Sequence, residues 1–448
     1  MKNRWLIALS AVGIHISIGS VYAWSVAAKP IMNLFDCSMS QVTLTFSIAI
    51  CFLGLSAAFL GHFVERKGPR KAGMLAAFFF GIGVIGAGIA IRFESLWFLY
   101  LSYGVLGGIG CGTGYITPVS TLIKWFPDKR GMATGMAIMG FGFAAFLSSF
   151  GMKKLMSIES IGLEGMFYIL GAIYFCVMFC SAQYLSPPPK DWLPAGFKAK
   201  LDNGTKKIRS DLSQLTANEA VKTLRFYFLW LMLFINISCG IAIISVASPM
   251  GQELAGLSSA TAAGMVAIIG LFNGLGRIAW SSISDHIGRP VTWTMFFIIQ
   301  IVSFLILPKI HNAVLFQIVV FLIMTCYGGG FASVPAYISD LFGTKQVSAI
   351  HGYILTAWST AGIFGPMILS IVKDKTQSYS STLYIFSGLF VVALIVSALL
   401  ILDIKKIKSK AKYEKTIVQL YPVGAAKAAI VEIQPCMIKP LNLQSTKK

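Results

Sequence analysis

The residue best placed to do chemistry in this chain is a single arginine inside a predicted membrane span. Arg277 stands in an apolar stretch near residues 260–283, and it is the only Lys, Arg, Asp or Glu that falls well inside a predicted span. A charge at that depth costs about 3 kcal/mol or more, so it requires a partner or a wet cavity. Because no carboxylate lies inside a predicted span to pair with Arg277, the simplest partner is an anion that binds reversibly, as a transported substrate does.

The predicted depth of Arg277 supports this hypothesis. The middle of its span lies near residue 272, so Arg277 is about 7–8 Å to one side at 1.5 Å per residue. Helical side chains lean toward the helix N-terminus, which brings the guanidinium to the midplane. The planar guanidinium can donate two parallel hydrogen bonds to a carboxylate. Asn273, one turn earlier on the same face, would orient the guanidinium. The alternative is an arginine that reaches the interface or pairs with backbone carbonyls.

Other candidate groups lie at comparable depth on other spans. His15 is the only histidine near the middle of a predicted span, and Tyr22 shares its helical face two turns away. His15 would hydrogen-bond a substrate or take a proton, unless a neighbouring helix satisfies it. Tyr115, Tyr327 and Trp358 would enclose a carboxylate and donate to it, with ordinary packing as the alternative.

The elements that position these residues are predicted to be membrane helices. The 448 residues are 56% hydrophobic and 12% charged, with a mean hydropathy of +0.75, against about 25% charged residues in soluble chains. This composition argues against a soluble enzyme, a disordered protein and a nucleic-acid binder. The net charge of +20 is interpreted as membrane topology, because the basic residues lie between apolar stretches and in the tail.

Twelve apolar stretches are long enough to span a bilayer, and they divide into two sets of six. The predicted domains are a six-helix bundle at 1–186, a cytoplasmic linker at 187–225, a second six-helix bundle at 226–403 and a basic cytoplasmic tail at 404–448. The Lys and Arg distribution favours cytoplasmic N- and C-termini. We find no catalytic triad, no metal-ligand spacing and no phosphate-binding loop, so we expect no enzyme activity, no metal and no cofactor.

A repeated acidic turn joins the second span to the third and the eighth to the ninth. Both copies have an acid three residues before a glycine and an arginine soon after it. The glycines allow a tight turn, and the acid can hold nearby bases or a helix N-terminus in one conformation and release them in another. An ordinary polar loop is the alternative. The predicted gating residues are Gly61, Glu65, Gly68, Arg70, Asp285, Gly288 and Arg289.

These turns resemble the motif of the major facilitator superfamily, and further strings are similar to the oxalate:formate antiporter family. They are residues 22–25 (YAWS), 115–131 (YITPVSTLIKWFPDKRG), 326–332 (CYGGGFA), 340–345 (DLFGTK) and 355–359 (LTAWS). The resemblance covers residues 1–403. It implies an all-α integral membrane fold of twelve helices in two halves and transport of small carboxylates by alternating access.

The resemblance also implies a second cation that this chain lacks. In the oxalate-exchanging member, an arginine in span eight and a lysine in span eleven flank the dianion. Arg277 matches the first, whereas the predicted span 352–371 has no lysine and Trp358 stands near that place. One cation suits a monocarboxylate such as formate, lactate or pyruvate better than oxalate.

The expected protein is therefore a secondary carrier of monocarboxylates, with oxalate/formate exchange also considered and the choice between exchange and proton symport left open. A drug efflux carrier of the same fold is the alternative. Its expected partners are a small organic anion, the lipid bilayer and a proton in a symport mode, with no nucleic acid. We expect a monomer, spanning the cell (inner) membrane many times.

Overall fold

The computed structural model describes residues 2–189, 192–194 and 211–420 of the chain. Within these ranges, twelve helices are long and apolar enough to cross a membrane. This confirms the predicted fold class and the number of spans. The contacts divide the chain into two compact units, Met1–Ala398 and Leu399–Lys448. The predicted division at 187–225 stays a prediction, and most of that linker and the tail beyond residue 420 lie outside the described residues.

The twelve spans follow one another with short connections, apart from the segment between the sixth and the seventh. A short helix, Ala217–Ala220, lies in that segment. The spans are α1 Arg4–Leu34, α2 Met39–Lys67, α3 Pro69–Arg92, α4 Leu96–Trp125, α5 Arg130–Met156, α6 Gly162–Tyr184, α7 Leu224–Ala255, α8 Ser259–Ile287, α9 Arg289–Lys309, α10 Ala313–Phe342, α11 Val347–Thr376 and α12 Tyr379–Leu420.

Local sequence explains where several spans begin and end. Ser38 and Gln41 form a capping box at the start of α2, which satisfies two backbone N–H groups that a helix start leaves without partners. The turns after α2 and α8 are made by Gly68 at φ 82° and Gly288 at φ 93°. Only glycine adopts these angles without strain. We call the end of the helices that carries these two turns the turn end.

Small residues bring α1–α6 and α7–α12 into direct contact from the turn end to mid-depth. Helix α2 packs against α11, and α5 packs against α8. A methyl group added to Gly61 would lie 2.6 Å from the Cα of Ala349, and one added to Gly142 would lie 2.9 Å from the Cα of Gly274. Since real side-chain carbons do not approach so closely, these glycines are needed for the contact.

Two spans are irregular near mid-depth. Helix α1 is interrupted by a 3-10 segment at Gly19–Ala23, which carries Tyr22. Helix α4 contains a π-helical segment at Tyr100–Gly107, about two turns before Tyr115. Interrupted helices are common where transporters bind substrate, because the irregular backbone there lines a site inside the protein.

Candidate functional site

Arg277 lies at the centre of the candidate site and is almost completely buried, at 1% exposure. One terminal nitrogen, NH1, donates to the carbonyl oxygen of Ile138 on α5 at 3.0 Å. The Nε atom donates to Oδ1 of Asn273 at 3.3 Å. The other terminal nitrogen, NH2, has no hydrogen-bond partner. Pairing with the backbone therefore accounts for one nitrogen only, and the two N–H groups of NH2 remain for another group.

The charge of Arg277 is not neutralised by an acidic side chain. None of the ion pairs among the described residues includes it. Its guanidinium carbon instead lies 5.6 Å from the ring centre of Phe141 and 5.4 Å from that of Phe331. Cation–π contacts of this kind contribute about 0.5–2 kcal/mol each. They lower the cost of burying the charge but leave the net charge in place.

Aromatic rings from both halves surround the guanidinium. The Trp358 ring on α11 lies 4.7 Å from Phe331, 5.4 Å from Tyr115 and 5.7 Å from Phe141, centre to centre. The Tyr22 ring lies 5.2 Å from Phe141. These contacts form one continuous aromatic wall, built from α1, α4, α5, α10 and α11.

Several polar atoms of this wall are buried without a hydrogen-bond partner. They are the hydroxyls of Tyr22 and Tyr115, Nε1 of Trp358 and, beside the wall, Nε2 of His15. Buried polar groups nearly always have a partner, so a cluster of exceptions indicates a place where a polar ligand belongs. With the free nitrogen NH2 of Arg277, the two hydroxyls and the indole N–H make four donor groups, which is the complement of a carboxylate.

The residues predicted from sequence come together in this structure. Asn273 contacts Arg277 directly, and the Tyr22 ring lies 6.3 Å from that of Trp358. Tyr327 contacts Phe331 at 5.3 Å. His15 lies at the edge of the cluster, 5.3 Å from Tyr115. Their roles in binding stay predictions.

The sequence reasoning missed two rings that contact the guanidinium. Phe141 lies between Gly140 and Gly142, and Phe331 follows Gly328–Gly330. A bulky ring next to glycines in a membrane helix is a usable signal, because the glycines let helices approach while the ring fills the remaining space. A methyl group on Gly328 would meet the carbonyl oxygen of Asn273 at 2.2 Å, so this glycine allows α10 to reach the Arg277 helix.

The acids of the two predicted gating turns each bind the start of a helix in the opposite half. Asp285 accepts from the backbone N–H groups of Gly131 and Met132, both at 2.9 Å, at the start of α5. Glu65 accepts from the N–H of Ser348 at 2.9 Å, at the start of α11. Carboxylates stabilise helix N-termini because the helix dipole is positive there. These contacts join α8 to α5 and α2 to α11 at the turn end, and a gating role for them stays a prediction.

The basic residues of the gating turns differ between the two copies. Arg289 pairs with Asp285 at 2.5 Å, as the repeat suggests. Arg70 instead donates to Gln183 on α6, and Lys124 on α4 pairs with Glu65 at 2.9 Å. The acid of the first turn is thus held by a base on another helix.

A model of the family described as Major Facilitator Superfamily matches residues 9–366 of the chain. The chain is 28% identical to the uncharacterized MFS-type transporter YhjX of Escherichia coli (strain K12), over 81% of this chain and 86% of the relative. It is also 28% identical to the oxalate:formate antiporter of Oxalobacter formigenes, over 82% of this chain and 84% of the relative. Monocarboxylate transporter 14 of Mus musculus is 22% identical, over 87% of this chain and 88% of the relative.

The fold is also similar to that of solved transporters. The human organic anion transporter MFSD10 superposes with a TM-score of 0.65 at 13% identity, covering 89% of this chain and all of that chain (100%). A likeness at this identity describes the fold alone. The expected relationship to the oxalate:formate antiporter family is confirmed by the sequence matches.

Proposed function

This chain belongs to the Major Facilitator Superfamily, and on that basis we propose that it is a secondary transporter of small organic monocarboxylates, such as formate, lactate or pyruvate. The observation that carries the proposal is the unpartnered terminal nitrogen of Arg277, buried among aromatic rings. A bound carboxylate would accept from this nitrogen and neutralise the charge. The relatives named for oxalate, formate and monocarboxylates support a small acid as cargo.

A single positive charge at the site favours one carboxylate over two. Helix α11 has no Lys or Arg from residue 347 to residue 371, and its contribution to the aromatic wall is the neutral ring of Trp358. A second carboxylate would be desolvated there without a cation to pair with, which is costly in a low-dielectric site. The neutral rings instead suit the apolar part of a small monocarboxylate.

The closed turn end supports a mechanism of alternating access. Arg277, Tyr115, Tyr327 and Trp358 are buried, whereas Tyr22 is partly exposed. Substrate reaches the guanidinium only if helices move, and the caps formed by Glu65 and Asp285 are bonds that such a movement breaks. In a cell (inner) membrane with both termini cytoplasmic, the turn end would be the cytoplasmic gate.

A multispecific drug carrier is not favoured as the alternative. The relatives named for a substrate are named for small acids. A buried arginine without an acidic partner also suits an anion better than a lipophilic cation.

Uptake by purified protein in proteoliposomes tests the proposed function. We expect saturable counterflow of labelled formate or lactate, and no movement of a lipophilic cationic dye. Counterflow is the suitable assay because it needs substrate exchange alone and no assumption about a driving ion. Dye transport without carboxylate transport by the same folded preparation would rule the proposal out in favour of the drug carrier.

A further prediction concerns the two acidic caps. The double variant Glu65→Gln with Asp285→Asn keeps the shapes of the side chains but removes both charges from the helix starts. Each such contact contributes about 0.3–1 kcal/mol, so we expect the turn end to open about tenfold more often. A cysteine placed at the buried Ala349 reports this as faster labelling by a membrane-impermeant maleimide.

The matched control for that experiment is Asp374→Asn, which removes a charge near the opposite end of α11. Labelling at Ala349→Cys should keep the wild-type rate in this control. If the double variant also labels at that rate, the caps do not hold the gate.

A further inference from the structure

A second buried histidine lies beside the candidate site. His351 on α11 is 1% exposed, and neither of its ring nitrogens has a hydrogen-bond partner. Its ring lies 5.9 Å from that of Tyr115. An imidazole buried with both nitrogens unsatisfied is unusual, because each lost hydrogen bond costs about 1–3 kcal/mol. A group of this kind calls for a functional explanation.

His15 stands in the corresponding place on α1. His15 lies seven residues before Tyr22, and His351 lies seven residues before Trp358, so each histidine is about two turns nearer the turn end than an aromatic residue of the site. Nδ1 of His15 lies 3.0 Å from the carbonyl oxygen of Ala11. A carbonyl only accepts, so Nδ1 carries the proton and Nε2 keeps a free lone pair.

Tyr115 connects the two histidines. Its ring contacts His15 at 5.3 Å on one side and His351 at 5.9 Å on the other. It also contacts Trp358 at 5.4 Å, within the wall around Arg277. We propose that His351 and His15 form a binding site for a co-transported proton, next to the carboxylate site and coupled to it. The inference rests on the proposed function, since the carboxylate is what the proton accompanies.

The charge of Arg277 explains why carboxylate binding would favour proton binding. Arg277 acts on His15 by charge repulsion, which is strong in a low-dielectric site, so the empty carrier disfavours a proton on His15. A carboxylate bound to Arg277 removes that repulsion, and the proton then binds. The empty site carries one positive charge, and the site with both carboxylate and proton also carries one. The proton comes from water on the side where the carboxylate enters and returns to water on the other side.

Within the part of the chain that the structure describes, the groups packed beside the pair are mostly uncharged. On α11, contacts from α7 and α10 are made by Trp230 and Phe331, which do not titrate, and the short helix Ala217–Ala220 meets it at the amide of Gln346. Beside His15, α5 presents Gly140, and α6 meets α1 at Ser181. Among the described residues, Tyr115 on α4 contacts both rings and Arg277 on α8 acts on His15. The helices packed beside them also carry His62, which is paired with Tyr353, and the ion pair of Glu65 with Lys124.

The test compares exchange with proton-driven uptake in the variant His351→Gln. Lactate counterflow at equal pH on both sides needs the carboxylate site alone, whereas net uptake driven by an acidic exterior needs the proton as well. We expect wild-type protein to accumulate lactate several-fold and to acidify the lumen, read with an internal pH dye. His351→Gln should lose about tenfold in driven uptake while counterflow stays within about twofold to threefold. His311→Gln, an exposed histidine between α9 and α10, is the matched control.

Binding measured against pH gives the second readout. Reciprocal coupling requires that a proton raise carboxylate affinity as much as a carboxylate raises proton affinity. The affinity of the wild type for lactate should fall by up to tenfold for each pH unit above the pH at which the histidine pair loses its proton. The affinity of His351→Gln for lactate should not change with pH. The inference is overturned if the variant keeps wild-type driven uptake, if wild-type uptake ignores the pH gradient, or if counterflow and driven uptake fall together. Absence of wild-type counterflow would instead contradict the proposed function.

Discussion

The variant Arg277→Gln is expected to lose carboxylate uptake by about 100-fold or more. Removing one partner of a buried, hydrogen-bonded charge pair costs about 2–5 kcal/mol, and about 1.4 kcal/mol corresponds to each factor of ten. Glutamine keeps a polar group near Ile138 and Asn273 but offers the substrate no charge. Uptake of labelled formate or lactate at fixed protein density measures the loss, and Arg277→Ala should behave in the same way.

Three controls separate the charge from the fold. Arg277→Lys keeps a point charge without the planar fork, so we expect it to retain partial uptake. Arg92→Gln changes an exposed arginine at the far end of α3 and should transport as the wild type does. Gel filtration and thermal unfolding of each variant show whether it is folded. Normal uptake by folded Arg277→Gln would refute the role of this residue in binding the anion.

The second large effect is expected from Trp358→Lys. In the wild type we expect formate or lactate to compete at least about tenfold better than oxalate, because one cation neutralises one carboxylate. A lysine at 358 would place a second cation on α11, and oxalate should then gain about tenfold or more relative to lactate. Competition against labelled lactate uptake measures both preferences.

Trp358→Phe is the matched control, since it keeps a ring against Phe331 without adding charge. It should retain the wild-type order of substrates. Two results would contradict this explanation: a wild type that prefers oxalate, or a Trp358→Lys variant with the same preference for lactate over oxalate as the wild type. Either would show that the absence of a lysine on α11 does not set the substrate preference.

The sequence predicted the fold and the central residue because both depend on simple energetic penalties. Twelve stretches had to be helices, since unpaired backbone groups are too costly in lipid. Arg277 stood out because a lone charge inside a span is rare. The contact of its Nε with Asn273 was predicted from their spacing of four residues on one helix. The contact of NH1 with Ile138 could not be predicted, because that carbonyl belongs to a helix far away in the sequence.

The sequence did not predict the exact ends of the helices or the contacts between helices that are distant in the chain. The eleventh span was predicted to begin at residue 352, whereas α11 begins at Val347, so His351 was left outside the predicted spans and was overlooked. The acids of the gating turns were recognised, but the particular helix starts they cap were not. Glu65 reaches Ser348, 283 positions away in the sequence, and local spacing carries no information about such a contact.

The central claim is that the free nitrogen of Arg277 binds the substrate carboxylate. A structure of the protein with a bound bromine-labelled monocarboxylate, located by its anomalous signal, tests it most directly. We predict a carboxylate oxygen about 3 Å from the terminal nitrogen NH2, with the bromine-bearing carbon against the aromatic wall. A carboxylate bound elsewhere, with that nitrogen held by an acceptor of the protein itself, would contradict the account.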